Sequence, residues 1–101
     1  MVMATGEAKF AMGKLLATPG ALKALEEAGE TALPLLGRHL RGDWGIVGAE
    51  DAKRNDEALE SGARLLSAYR LRNGTKLWVI TEAADENGNR AATTILLPEE
   101  Y

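Results

Sequence analysis

Arg64-Leu65-Leu66-Ser67-Ala68-Tyr69-Arg70-Leu71, then Arg72-Asn73-Gly74-Thr75, then Lys76-Leu77-Trp78-Val79-Ile80-Thr81-Glu82 is the part of the chain around which the architecture is built. Two runs rich in β-formers flank an Asn-Gly pair, which supplies the two positive-φ residues of a type I′ hairpin turn. A two-residue turn at Asn73-Gly74 sets Arg72 opposite Thr75, Tyr69 opposite Trp78 and Ser67 opposite Ile80. Because side chains alternate along a strand, one face then carries Leu65, Ser67, Tyr69, Leu71, Trp78 and Ile80, and this face is the expected core.

A third run, Ala91 to Leu97, follows a second turn centred on Asn87-Gly88. It is expected to set Ile95 beside Ile80 and Leu97 beside Trp78. The opposite face collects Ala68, Arg70, Leu77, Val79, Thr81, Thr94 and Leu96. Asp85 to Arg90 is too polar for a strand and reads as an exposed loop tip.

Upstream, Lys9 to Ala17 places Phe10, Met12 and Leu16 on one side of a two-residue period, which predicts a short strand at an edge of the sheet. Gly13 marks a bulge or a close backbone approach within it. Thr18-Pro19-Gly20-Ala21 is a helix start, a hydroxyl cap followed by proline where no N–H is needed, and that helix runs to Ala28 and stops at Gly29. Its apolar stripe is read as Ala21, Leu22, Leu25 and Ala28. Thr31 is expected to cap a second helix carrying Leu33, Leu36 and Leu40, ended by Gly42, with Arg38 and Arg41 in its last turn. A third helix spans about Ala49 to Glu60, with a thin contact stripe of Ala52, Asn55, Ala58 and Leu59 and a stop at Gly62. The element order predicts an α+β fold in which three helices pack on one face of a small antiparallel sheet, a three-stranded C-terminal meander plus an N-terminal edge strand.

The 101 residues suit one domain, here residues 9–101 after a flexible start at 1–8. With no cysteine, disulfides, thiolate nucleophiles and cysteine-ligated metals are excluded. The formal charge of -3 is not that of a typical nucleic-acid binder. No apolar run is long enough to span a bilayer and the first residues lack a secretory signal, so the expectation is a soluble, cytoplasmic protein without membrane attachment.

Ala17-Thr18-Pro19-Gly20-Ala21-Leu22, Arg38-His39 with Gly42-Asp43-Trp44-Gly45, Leu65-Leu66-Ser67-Ala68-Tyr69, Lys76 to Ala83 and Thr93 to Tyr101 together resemble a family of small bacterial proteins encoded on plasmids and genomic islands. Some members carry a label of type I restriction–modification subunit. The resemblance covers almost the whole chain and departs at Ala84 to Ala92, where relatives are shorter. It implies an accessory role on a mobile element and carries over no catalytic residue.

Four features are candidates for chemistry. His39, the sole histidine, lies near Arg38, Arg41 and Asp43, a general base with an orienting carboxylate and cations for phosphate; the simpler reading is a histidine packed at a helix end beside Trp44. Asp43 and Trp44, between two glycines, are a candidate binding corner, or an acid bonded in its own turn beside an indole plugging the core. Arg70, Thr81 and Thr94 on one sheet face form the arrangement most suggestive of phosphodiester chemistry, by fold-level analogy with small toxin ribonucleases of the RelE and barnase-like kind. As structural features, the threonines are a favourable cross-strand pair. Glu50-Asp51 and Asp56-Glu57 are carboxylates of the kind that ligate metals, but they sit in the N-terminal half of a polar helix, where acids complement the dipole, and the better reading is a solvated face. No metal site or cofactor is expected, and no phosphate loop or serine elbow is present. The function this favours is a non-catalytic module that binds a protein partner or a second copy of itself, in defence or counter-defence; the alternative is an RNA-cleaving toxin.

Overall fold

The computed structural model describes residues 8–101; the start of the chain, on which the flexible-terminus expectation falls, lies outside the described residues for positions 1–7. In order come β1 (Lys14–Ala17), α1 (Pro19–Ala28), α2 (Leu33–Leu40), α3 (Ala49–Ser61), β2 (Leu65–Arg70), β3 (Lys76–Thr81), β4 (Ala92–Leu96) and a single 3-10 turn, Pro98–Glu100. The strands form one sheet in the order β1-β4-β3-β2.

The C-terminal meander is antiparallel, as expected, but β1 joins β4 in parallel. The sheet is therefore mixed, not purely antiparallel. A parallel neighbour requires a long crossover, and the three helices between β1 and β2 provide the intervening chain. The strand itself begins only at Lys14 and not at Lys9. At Gly13 the expected close approach is present: a Cβ there would collide with the Arg90 carbonyl oxygen.

The register differs from the expectation by one residue in both hairpins, and for the same reason. Gly74 and Gly88 have φ of 91° and 81°, whereas among the described residues none other than glycine has positive φ, so neither Asn-Gly pair forms a type I′ turn. Each glycine is instead the third residue of a three-residue tip. Its N–H donates to the carbonyl three residues back, Gly74 to Leu71 and Gly88 to Asp85, each at 2.9 Å. A left-handed glycine closing a type I turn is the usual three-residue hairpin. The centre of each hairpin moves by half a residue and every pairing by one: Ala68, not Tyr69, faces Trp78; Val79, not Ile80, faces Ser67 and Ile95; Leu96, not Leu97, faces Trp78; and Thr93, not Thr94, faces Thr81.

A one-residue slip exchanges the faces of a strand. One face now carries Leu65, Ser67, Tyr69 and Leu71 with Leu77, Val79, Thr81, Thr93 and Ile95, and both buried clusters draw their strand residues from it. Over this face α1 lays Ala21, Ala24, Leu25 and Ala28, and α2 adds Leu35. The α1 stripe is shifted from the one expected. The i, i+3, i+4, i+7 set is buried and Leu22 is 55% exposed, because it lies a quarter turn off that row. At the β2 end, Ala58 of α3 meets Leu65 and Trp44, with Phe10 and Leu59 beside them. The second face carries Leu66, Ala68, Arg70, Lys76, Trp78, Ile80, Thr94 and Leu96. Trp78 and Tyr69 thus lie on opposite sides of the sheet, and the Tyr101 ring stands edge-on to Trp78 at 5.6 Å.

Helix ends follow local chemistry. The Thr18 hydroxyl accepts from the Ala21 N–H at 3.1 Å and Gly29 closes α1 in the left-handed conformation. In α2, Ala32 occupies the cap without a side-chain bond, so Thr31 is not the cap. Gly62 stops α3 as the sequence indicates. No helix among the described residues is long and apolar enough to cross a membrane.

Candidate functional site

His39 lies in the last turn of α2, on the helix-covered face, and is fully buried. Its Nδ1 lies 2.5 Å from Ser67 Oγ on β2 and its Nε2 2.9 Å from Thr81 Oγ1 on β3; Thr81 is 2.7 Å from Thr93 Oγ1, which donates to the Met12 carbonyl at 2.8 Å. Proton positions along this chain are dictated by its far end. A carbonyl only accepts, so the Thr93 hydroxyl proton is committed to Met12 and the Thr93 oxygen accepts from Thr81. Thr81 then has only lone pairs to offer His39, which makes Nε2 the protonated nitrogen and leaves Nδ1 to accept from Ser67. Every donor has one acceptor and the imidazole is neutral. Burial, reinforced by the charge of Arg90, pushes its pKa down to about 4.

Phe10 and Trp44 seal the ring edge-on, with centroids 5.2 and 5.8 Å away. Both nitrogens are occupied and neither meets solvent. Asp43 is turned away from the ring: its carboxylate takes Arg38 Nε at 2.7 Å and Nη2 at 3.2 Å, and it accepts from the Gly45 N–H. That pairing holds the Asp43 carboxyl below its usual range and raises Arg38. The same corner grips Tyr69, whose hydroxyl donates to the Asp43 carbonyl at 2.6 Å while Arg38 lies over its ring; burial pushes the phenol up to about 12. Trp44 is buried and donates to Asp56 Oδ1 at 3.0 Å, a plug with its N–H bonded.

Arg70, Thr81 and Thr94 are not assembled. Arg70 is exposed on the second face and donates weakly to the Gly74 carbonyl at 3.3 Å. Thr94 shares that face but sits on β4, with β3 between them. Thr81 is buried on the other side of the sheet in the His39 chain. Among the described residues, no three His, Asp or Glu side chains form a cluster able to hold a metal ion.

Arg90, expected in an exposed loop, is buried at 8% exposure. Its guanidinium donates to the carbonyls of Ala63 at 2.8 Å, Glu82 at 3.0 Å and Ala58 at 3.1 Å, and stacks over Phe10. Ala58 lies in the last turn of α3, where its carbonyl also accepts the Gly62 N–H, Ala63 follows the helix stop and Glu82 follows β3, so Arg90 ties the end of α3 to the sheet. It forms one wall of an open groove of about 420 Å³ between the end of α3 and the β3–β4 loop. No local pattern marks Arg90 in the sequence, since its partners are all backbone.

The two sheet edges are treated oppositely. Along β2, the even-numbered residues turn their backbone groups outward. Ala68 exchanges bonds with Trp44 and Ile46, and the Asn55 side chain both donates to the Leu66 carbonyl at 2.7 Å and accepts its N–H at 3.1 Å. Asn55 stands in for a strand residue. Along β1, Lys14 and Thr18 donate inward to Ala91 and Ile95, which fixes the alternation and turns the N–H and C=O of Leu15 and Ala17 away from the sheet. Leu15 and Leu16 remain 39% and 43% exposed there.

No family model matches the chain, and neither a curated protein nor a solved structure is significantly similar to it.

Proposed function

We propose that this is a non-catalytic, cytoplasmic accessory protein of a mobile genetic element, which acts by protein association at the outer edge of β1 in defence or counter-defence. One observation carries the reading: two adjacent leucines and a row of backbone groups without a partner among the described residues lie on the outer edge of β1, while the opposite edge is closed by Asn55 and the 44–46 segment. An open apolar edge is otherwise a liability that folds suppress, and strand addition is a recurrent mode of recognition. The family resemblance of the sequence supports the mobile-element setting. The separation of Arg70 from Thr81, and the occupied, sealed imidazole, leave the RNA-cleaving alternative without an assembled acid–base pair.

The test compares tagged wild type with Leu16→Glu in a bacterial host, followed by reconstitution of any captured protein with purified chain and by incubation of wild type and Arg70→Ala with RNA. A stoichiometric complex, with another protein or with itself, that Leu16→Glu loses, together with intact RNA, is the expected result. A wild type that binds nothing and stays single overturns the reading, as does RNA cleavage that Arg70→Ala abolishes.

A further inference from the structure

We infer that the occupant of the β1 edge is a second copy of this chain, added antiparallel about a twofold axis at Leu16 to give a continuous eight-stranded sheet. This rests on the reading of β1 as the association surface and names its partner.

The edge is self-complementary in one register. Leu15 and Ala17 carry the outward N–H and C=O groups. An axis normal to the sheet through Leu16 sets Leu15 of one copy opposite Ala17 of the other, and the converse. These two pairs exchange four hydrogen bonds and leave no outward group of either residue unpaired. A twofold axis of this direction keeps like faces together, so helices of both copies lie on one side. The two Leu16 side chains then meet at the axis on the second face, and each Leu15 covers the other copy's Ala17.

The charges agree. In this register Lys14 falls opposite Thr18 of the second copy, at a non-hydrogen-bonded position where strand Cα atoms approach to about 4.5 Å. The Thr18 hydroxyl donates to Glu100 Oε1 at 2.5 Å, and the Leu97 N–H donates to the same oxygen at 2.8 Å. These bonds hold the Glu100 carboxyl below its usual range. Neither Lys14 nor Glu100 has an ion partner among the described residues. Pairing the copies brings Lys14 of each to Glu100 of the other, twice by symmetry.

A four-residue strand gives a contact below the roughly 1,200–2,000 Å² of a standard interface, so the dimer is a concentration-dependent one. Sedimentation equilibrium of the full chain from about 10 μM to about 1 mM, in low salt, is expected to show mass rising from 10.8 kDa toward twice that value. Ala17→Pro removes an N–H that makes no bond to the described residues, and is expected to weaken the dimer roughly ten- to a hundredfold while leaving the fold intact. Lys14→Glu, which places like charges together, weakens it too, and adding Glu100→Gln restores part of the loss. Should Ala17→Pro fail to fold, the Lys14→Glu pair decides.

A wild type that stays monomeric at the highest concentration overturns the inference, as does a dimer indifferent to both substitutions. Amide exchange of the monomer then separates this failure from failure of the edge reading. Freely exchanging Leu15 and Ala17 amides leave the edge open to a different partner; protected ones remove the edge itself.

Discussion

Lowering the pH from 7.5 to 5 should destabilise this protein by about 2 kcal/mol through one residue. His39 titrates near 6.5 in the unfolded chain but is held to about 4 in the fold, where a proton on Nδ1 would meet Ser67 in the wrong sense and stand buried beside Arg90. The unfolded state therefore binds the proton first, and stability present above pH 6.5 is lost as pH falls toward 4. The full difference is about 3 kcal/mol, and about 2 kcal/mol of it is spent by pH 5. For a chain of this size that corresponds to a fall in Tm of roughly 10 °C. Urea denaturation at half-unit pH steps measures it, with His39→Gln as the control, since a glutamine amide can serve both neighbours without titrating. A wild-type profile flat to about 0.5 kcal/mol across this range, or a slope that persists in His39→Gln, would refute the assignment of a neutral, sealed imidazole.

Thr81→Val strands the His39 Nε2–H and should cost about 1–3 kcal/mol, read as a shift in the urea midpoint at unchanged m-value. Asn55→Ala should cost about 2 kcal/mol and speed amide exchange at Leu66, because one side chain satisfies both backbone groups of that edge residue. Arg90→Met keeps an apolar side chain but removes the guanidinium donors to the Ala58, Ala63 and Glu82 carbonyls; a loss of about 2–3 kcal/mol in thermal unfolding is expected, which Arg90→Lys does not fully recover. Arg70→Ala, by contrast, should move stability by no more than about 0.5 kcal/mol.

The helices were legible because their signals are local. Thr18-Pro19, Gly29 and Gly62 mark ends through caps that depend on neighbours a few residues away. That β1 is an edge strand was also readable, but not its direction, which depends on how the intervening helices carry the chain across. Register was not readable from Asn-Gly alone. Asn73 and Asn87 suit the second position of a type I turn as well as the first of a type I′ turn, and only the position of glycine at the second or third tip residue separates them. That half-residue ambiguity moved Thr81 from the imagined ligand face into the His39 chain, and moved Trp78 away from Tyr69. His39 was placed correctly beside Trp44 by its context at a helix end, whereas its hydroxyl partners lie 28 and 42 residues away. Arg90 and Asn55 work through backbone groups brought near by the fold, and no spacing announces such partners.

The most direct test of the two-faced sheet is its β2–β3 register. Ala68 and Trp78 form a non-hydrogen-bonded pair, flanked by Leu77 opposite Tyr69 and Val79 opposite Ser67. A nuclear Overhauser spectrum should therefore show a strong cross-strand contact between the Hα protons of Ala68 and Trp78. A contact of that kind between Tyr69 and Trp78 instead would return Thr81 to the side of Arg70, and the division between a sealed histidine and an open edge would not stand.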